Sequence, residues 1–305
     1  MPSFRSYWFE KGIKLSVKRA LRKGISEKRM DEKRQMLDTV ARKLAKLPEN
    51  CKVQQLEIEG MYAEWISTEN ITDDDKVILY LHGGGYAFCS ANTHRPLAAN
   101  IGSSAGVKVL FPEYRLAPEH PFPAAIEDAV SVYRWLLRQG YDPAKIIFAG
   151  DSAGGGLSVA ATLVLRDQNE PLPRAIVCLS PWVDLTSSGE SYRKNKDVDP
   201  YLTVQGVKDA ALMYSGHENP LDHPLISPIF ADLTGFPPLF IQAGNHEILQ
   251  SDAELLAKHA RQAGVDVTFK IWDKMWHVWQ ISGDKLPEAK KAISEIGDYI
   301  KKVFD

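Results

Sequence analysis

The chain has 305 residues, 44% of them hydrophobic and 25% charged, with a formal net charge of −2. This suits one large globular domain, or a domain with an appended cap, and the near-neutral total gives no reason to expect nucleic acid or an anionic membrane as partner. The three cysteines, Cys51, Cys89 and Cys178, are too few and too widely spaced for a disulfide framework or a Cys-x-x-Cys metal site.

Charge is unevenly spread, because residues 1–50 hold 14 Lys and Arg against 6 Asp and Glu. The first predicted helix, over 3–24, sets Phe9, Ile13, Val17 and Leu21 at i,i+4 spacing with Lys11, Lys14, Lys18 and Arg22 between them. A basic amphipathic helix of this kind can lie on a membrane surface. More often such a stripe covers a hydrophobic surface of its own protein, and that is the expectation here. The second helix, over 30–47, aligns Leu37, Val40, Leu44 and Leu47 and ends at Pro48 and Asn50. Lys and Arg interrupt every N-terminal apolar run before a signal-peptide core could form, and no segment reaches the roughly 18 apolar residues of a membrane span. A reducing cytoplasm is therefore expected.

Eight β-rich runs follow, at 53–58, 61–67, 77–81, 107–111, 145–149, 175–179, 238–243 and 267–272. Several are unbroken Val, Ile, Leu and Phe, as strands covered on both faces must be. Helical stretches at 92–104, 123–139, 153–168, 251–263 and 287–303 alternate with them, which predicts an α/β fold with a mostly parallel sheet. The first two strands, joined by Glu59-Gly60, read as an antiparallel hairpin at the sheet edge. Residues 187–220 interrupt the alternation, polar at first and helical from about Thr203, and are expected to fold over the top of the sheet as a lid.

The chemistry-bearing residues cluster at strand ends. Gly150-Asp151-Ser152-Ala153-Gly154 stands where an apolar strand meets a helix rich in small residues. That is the setting of a nucleophile elbow, whose glycines permit backbone to pack on backbone and whose helix N-terminus favours negative charge. Alone the motif is weak, arising by chance on the order of 0.1 times in such a chain. His82-Gly83-Gly84-Gly85 follows another buried strand and is much rarer; successive glycines expose N–H donors to a developing oxyanion. A serine hydroxyl needs a base and an orienting acid. Of the eight histidines, His277 lies after the last strand, as the chain order serine, acid, histidine requires. The acid should leave the preceding strand. Glu247 is nearer the strand end and is favoured, whereas Asp252 suits a helix N-cap.

With these residues in place, the sequence resembles the hormone-sensitive-lipase-like esterases (bacterial family IV) of the α/β-hydrolases. The resemblance covers about residues 75–305 and rests on "HGGGYAF", "EYRLAPEHPFPAAIEDA", "GDSAGGGL", "DPYLT" and "HVW". It implies an α/β-hydrolase fold with an eight-stranded, mostly parallel sheet, flanking helices and a helical cap. Residues 1–50 would be cap helices, 51–186 and 221–305 the two catalytic parts, and 187–220 the cap insertion. It further implies Ser152 as nucleophile, His277 as base, and Gly83, Gly84 and Ala153 as oxyanion donors. The family's acid is usually an aspartate before Pro-Leu; here Glu247-Ile248-Leu249 stands at that place. His82, Asp151 and Glu113 are expected to support the elbow and oxyanion loop, with Tyr114 and Arg115 beside them. Tyr86, Phe88, Trp276 and Trp279 could narrow the pocket or be core aromatics.

The function so implied is a carboxylesterase acting on short- to medium-chain acyl esters, with a small-molecule ester as partner and no metal or organic cofactor. An amidase or deacetylase using the same triad is the first alternative. A non-catalytic ligand-binding protein on this fold is a second. Family habit also suggests a homodimer through the edge strand 267–272.

Overall fold

A computed structural model describes residues 2–8, 10–12, 30–44, 46–69, 71 and 75–305. Each of the eight apolar runs is a strand, with ends within two residues of those expected: β1 Lys52–Ile58, β2 Met61–Ser67, β3 Val77–Leu81, β4 Lys108–Pro112, β5 Ile146–Asp151, β6 Ala175–Leu179, β7 Leu239–Gly244 and β8 Val267–Trp272. They form one sheet in the order β1-β2-β4-β3-β5-β6-β7-β8. β2 pairs antiparallel with both β1 and β4, and every later pairing is parallel.

The alternation of side chains across a strand explains why the central runs are apolar throughout. Along β3, Val77, Leu79 and Leu81 join the core on one face, and Ile78 and Tyr80 join that on the other. The long helices are α1 Met30–Leu44, α2 Ala91–Ala105, α3 Ala124–Arg138 and α4 Ala153–Asp167 in the first part of the chain. The insertion contributes α5 Glu190–Lys194 and α6 Val204–Ser215, and α7 Gln250–Gln262 and α8 Pro287–Phe304 complete the set. Helices α3, α4 and α7 cover the first face through residues such as Leu136, Leu157 and Leu256; α2 and α8 cover the second through Leu97, Ile101, Ile296 and Ile300. β8, at the edge, keeps only Trp272 fully inside.

The N-terminal region departs from expectation. Residues 4–8 and 10–12 are helical, and Ser3 anchors them to Glu288 of α8 through its Oγ at 3.1 Å. Phe9, Ile13, Lys14, Val17, Lys18, Leu21 and Arg22 of the expected first stripe lie outside the described residues. Helix α1 turns its polar side inward. Arg34 donates to the carbonyls of Ala87 and Ala117 at 2.9 and 2.7 Å, and Asp38 accepts from Ser90 Oγ and Asn92 Nδ2 at 2.7 and 3.0 Å. Leu37 and Val40, aligned on one face of this helix in the sequence, remain exposed. Charged hydrogen bonds to a loop with unpaired carbonyls and a helix N-terminus hold α1 more specifically than an apolar stripe would.

The 187–220 insertion packs on the loop leaving β7. Ser191 exchanges hydrogen bonds with Ser251 and Ile248, and Asn195 Nδ2 donates to the Glu247 carbonyl at 2.8 Å. Among the described residues no helix is long and apolar enough to cross a membrane.

Candidate active site

Ser152 sits on the turn between β5 and α4 with φ 52° and ψ −122°, a conformation that non-glycine residues rarely adopt. Two ties hold it: its N–H donates to Leu179 O at 2.8 Å, and its carbonyl accepts from Trp182 N at 2.9 Å. The neighbouring glycines are required by contact. A Cβ on Gly150 would lie 2.4 Å from Gly154 O, and one on Gly154 would lie 1.9 Å from Leu81 O. The elbow is therefore packed backbone against backbone between β3, β6 and α4.

His277 occupies the turn after β8, and its Nδ1 lies 2.8 Å from Glu247 Oε2, both groups being buried. A carboxylate at Nδ1 favours the tautomer carrying hydrogen there, which leaves Nε2 as the basic nitrogen. The other carboxylate oxygen of Glu247 accepts from Gly244 N at 2.5 Å and from Ser180 Oγ at 3.0 Å. Ser180 carries no motif in the sequence, yet it joins three parts of the site. Its Oγ also accepts the Val278 N–H at 3.2 Å, and it follows Leu179, whose carbonyl holds the elbow. Val278 itself has φ 49° and ψ 45°, a strained left-handed conformation for a β-branched residue directly after the histidine.

Asp252 has a different place. Its Oδ2 accepts from the N–H groups of Val183 and Asp184 at 3.0 and 2.9 Å, and burial, with Asp184 nearby, pushes its carboxyl well above the usual range. Nor does it cap α7, whose N-cap is Leu249; it lies in the first turn and ties the loop after β6 to that helix. Another acid, Asp199 of the "DPYLT" stretch, accepts from Tyr201 and Leu202 N–H groups and from Ile248 N, each at 2.8 Å. Burial raises its pKa to about 6, against the lowering effect of His277. It so fixes Tyr201, whose exposed ring stands 6.3 Å from that of His277 and is legible in the sequence only as part of a family motif.

The oxyanion loop requires one correction. Gly83, expected as a donor, directs its N–H to Asp151 Oδ1 at 3.1 Å. A buried carboxylate competes for that hydrogen where the glycine's lack of a side chain lets it approach. Gly84 and Gly85 follow with φ 117° and 62°, partly exposed, and Ala153 is the first residue of α4, where N–H groups have no partner within the helix.

His82 and Glu113, read from the sequence as supports, make the following contacts near this loop. His82 Nδ1 lies 2.7 Å from Gly83 O, its carbonyl accepts from Tyr114 Oη at 2.6 Å, and its ring stacks on that of Tyr114. Burial, with a contribution from His94, lowers the His82 pKa to about 4, so the ring is neutral near pH 7. Glu113 accepts the Ala91 N–H at 2.6 Å, and burial raises its pKa to about 7. Arg115 points elsewhere and pairs with Asp128 and Glu127.

Of the pocket aromatics, Tyr86 is buried, stacked at 3.7 Å on Tyr214 of α6 and next to Trp182. Phe88 is partly buried against the main core. Trp276 and Trp279 do not narrow a pocket: they are core residues, clustered with Trp272, Met275, Leu286 and Ala289. Among the described residues no group of three or more His, Cys, Asp or Glu side chains is arranged to hold a metal ion.

The chain is similar to known proteins of this fold over most of its length. A family model described as the alpha/beta hydrolase fold matches residues 78–281. An acetyl-hydrolase of Streptomyces hygroscopicus is 46% identical over 239 residues, covering 78% of this chain and 79% of that one. An esterase of Acinetobacter venetianus is 35% identical over 266 residues, 87% of each chain. Among solved structures, an esterase from the bacterial hormone-sensitive lipase family superposes with a TM-score of 0.92 at 44% identity over the whole of both chains. EstE5, in crystals soaked with p-nitrophenyl butyrate, superposes at 0.91 with 37% identity over 99% of each.

Proposed function

Since the chain belongs to the hormone-sensitive-lipase-like esterases of the α/β-hydrolase superfamily and is a carboxylic ester hydrolase, we propose that it cleaves short- to medium-chain acyl esters through Ser152, His277 and Glu247. The observation that carries this reading is the 2.8 Å contact between His277 Nδ1 and Glu247 Oε2, linked through Ser180 to the strand that holds the Ser152 elbow.

His277 Nε2 takes the hydroxyl proton as Ser152 Oγ bonds to the ester carbonyl carbon. The carbonyl oxygen becomes an oxyanion, received by the N–H groups of Gly84, Gly85 and Ala153. Collapse breaks the bond to the alcohol oxygen, which leaves with the proton from Nε2. A water then gives its proton to Nε2 and attacks the acyl-enzyme, and the second collapse frees the acid and returns the proton to Ser152. Glu247 holds the ring and stabilises the imidazolium in both halves.

Short acyl groups are favoured because Tyr86, Tyr214 and Trp182 pack together, with Trp182 beside Gly85 and Tyr86 beside Gly156. The name of the Streptomyces relative, acetyl-hydrolase, supports acetyl as an acyl group this site removes. Residues 1–50 and 187–220 are read as the cap over the acyl site. Initial rates on p-nitrophenyl esters from acetate to palmitate, beside Ser152→Ala and Glu247→Ala, test the proposal. Fast cleavage of the short esters, abolished in the serine variant, is expected. No turnover of any ester by the folded protein would refute it.

A further inference from the structure

We infer that His94 is a positioning residue for ester hydrolysis: through Asp151 it fixes the Gly83 peptide and so aims the oxyanion donors that follow. The inference rests on the reading of Ser152 as nucleophile. His94 lies on α2 and touches neither the nucleophile nor the His277–Glu247 pair.

Asp151, the residue before Ser152, is buried and joins three separate elements. Its Oδ1 accepts from Tyr80 Oη of β3 at 2.7 Å and from the Gly83 N–H at 3.1 Å, and its Oδ2 lies 3.1 Å from His94 Nε2. The approach is close enough to require a glycine at 83, where a Cβ would stand 2.2 Å from Asp151 Oδ2 and 3.0 Å from Ser152 Cβ. The carboxylate thus ties the first glycine of the loop to the residue preceding the nucleophile. With the Gly83 N–H directed to Asp151, the peptide planes that follow start from a fixed orientation.

That arrangement needs the carboxylate ionised and stationary. An isolated carboxylate in such a place would take up a proton, since burial disfavours charge. Here burial is outweighed by His94 and Tyr80, which hold the Asp151 carboxyl below its ordinary pKa. A protonated Asp151 would be a poorer acceptor for the Gly83 N–H, and an ionised one without the His94 contact would lose one of the partners that hold it in place.

His94 is itself held from behind. Its Nδ1 lies 2.7 Å from Thr93 Oγ1, which accepts the Ser90 N–H at 2.9 Å within the capping box of α2. Ser90 Oγ in turn donates to Asp38 of α1. The imidazole therefore has no freedom to leave Asp151, and its anchor reaches the N-terminal helix.

The test compares wild type, Ser152→Ala, His94→Phe and His94→Gln. It reads kcat and KM for p-nitrophenyl acetate, Ki for phenylboronic acid, which forms a tetrahedral anion on the serine, and the melting temperature. Loss of a single oxyanion donor typically lowers the rate by about 10²–10³-fold, so mis-aimed donors should cost roughly 10- to 100-fold. His94→Phe is expected to lose that in kcat with KM within about twofold, and to weaken boronate binding by a similar factor. His94→Gln, whose amide N–H can replace Nε2 against Asp151, should recover most of both. A folded His94→Phe with wild-type kcat and Ki would overturn the inference, as would a Gln variant no better than Phe. Where the Phe variant does not fold, His94→Asn replaces it, because it keeps the Thr93 contact and is too short for Asp151; the same outcomes decide. Wild-type protein without turnover would overturn the esterase reading and this inference with it. An active wild type, an inert Ser152→Ala and an unaffected His94 variant would overturn this inference alone.

Discussion

Replacing Ser180 by alanine removes two interactions at once. Its hydroxyl no longer donates to Glu247 Oε1, and the Val278 N–H loses its acceptor. Ser180 is fully buried. A hydrogen bond to a charged group contributes about 1.5–3 kcal/mol, and a buried N–H left unsatisfied costs about 1–3 kcal/mol. Against this, Val278 would be free to relax from its left-handed conformation, recovering part of the roughly 1–3 kcal/mol that such strain stores. The expected net loss is about 2–4 kcal/mol, read from urea unfolding. Turnover should suffer as well, because Glu247 keeps only the Gly244 N–H and His277 as partners and the turn carrying His277 is released. A misplacement of about 1 Å costs on the order of 10²-fold, so turnover of p-nitrophenyl acetate should slow by roughly 10- to 100-fold. Ser180→Gly separates the two effects: the φ of 45° at this position suits glycine, so this variant should be more stable than the alanine one while equally slow. An alanine variant with the wild-type unfolding midpoint and wild-type turnover would refute the reasoning.

Other expectations follow from individual contacts. Gly154→Ala places a Cβ 1.9 Å from Leu81 O and 2.6 Å from His82 O, both backbone atoms, and should destabilise by more than about 4 kcal/mol or prevent folding; a soluble, active variant would contradict the packed elbow. Asp252→Asn should retain activity, since a neutral side chain can still accept the Val183 and Asp184 N–H groups, whereas Glu247→Gln should slow turnover by about 10²–10⁴-fold. The opposite pattern would move the triad acid to Asp252. Burial raises the Glu113 pKa from 4.5 to about 7, so between those values the folded protein binds more protons than the unfolded one. Its contribution is complete below pH 4.5 and is lost as pH rises through 7, on the order of 3 kcal/mol. Glu113→Gln should remove that slope, gaining on wild type between pH 5 and 8 in urea titrations; parallel curves would count against a raised pKa.

The sheet is legible in the sequence because each central strand is buried on both faces and so is written as an unbroken apolar run. Ser152, His277 and the glycine loop are legible as candidates because the chemistry proposed for them restricts residue type and places it at strand ends. What escapes a sequence reading depends on contacts made far along the chain. Nothing near Ser180 announces that Glu247 and Val278, 67 and 98 residues away, will meet its hydroxyl. The direction of the Gly83 N–H is decided by a carboxylate 68 residues later, so a glycine motif alone could not assign the donors. Trp276 and Trp279 flank His277 and Val278 in sequence, but α8 supplies the apolar wall that draws them into a core. Helix α1 misleads because its apolar periodicity is plain in the sequence, whereas Arg34 and Asp38 carry its docking through partners 50 or more residues away.

The close approach of α4 to β3 and β6 also bears on how this enzyme could acquire new substrates. Positions 150, 154 and 156 have no room for a methyl group: a Cβ at Gly156, for instance, would meet Trp182 O at 2.2 Å. Mutational libraries directed at the elbow would therefore return mostly unfolded chains. The heritable latitude lies where a side chain beside the site already reaches solvent, at Tyr201 next to His277. Selection for larger or bulkier esters should accumulate changes there and leave the surroundings of Ser152 almost untouched.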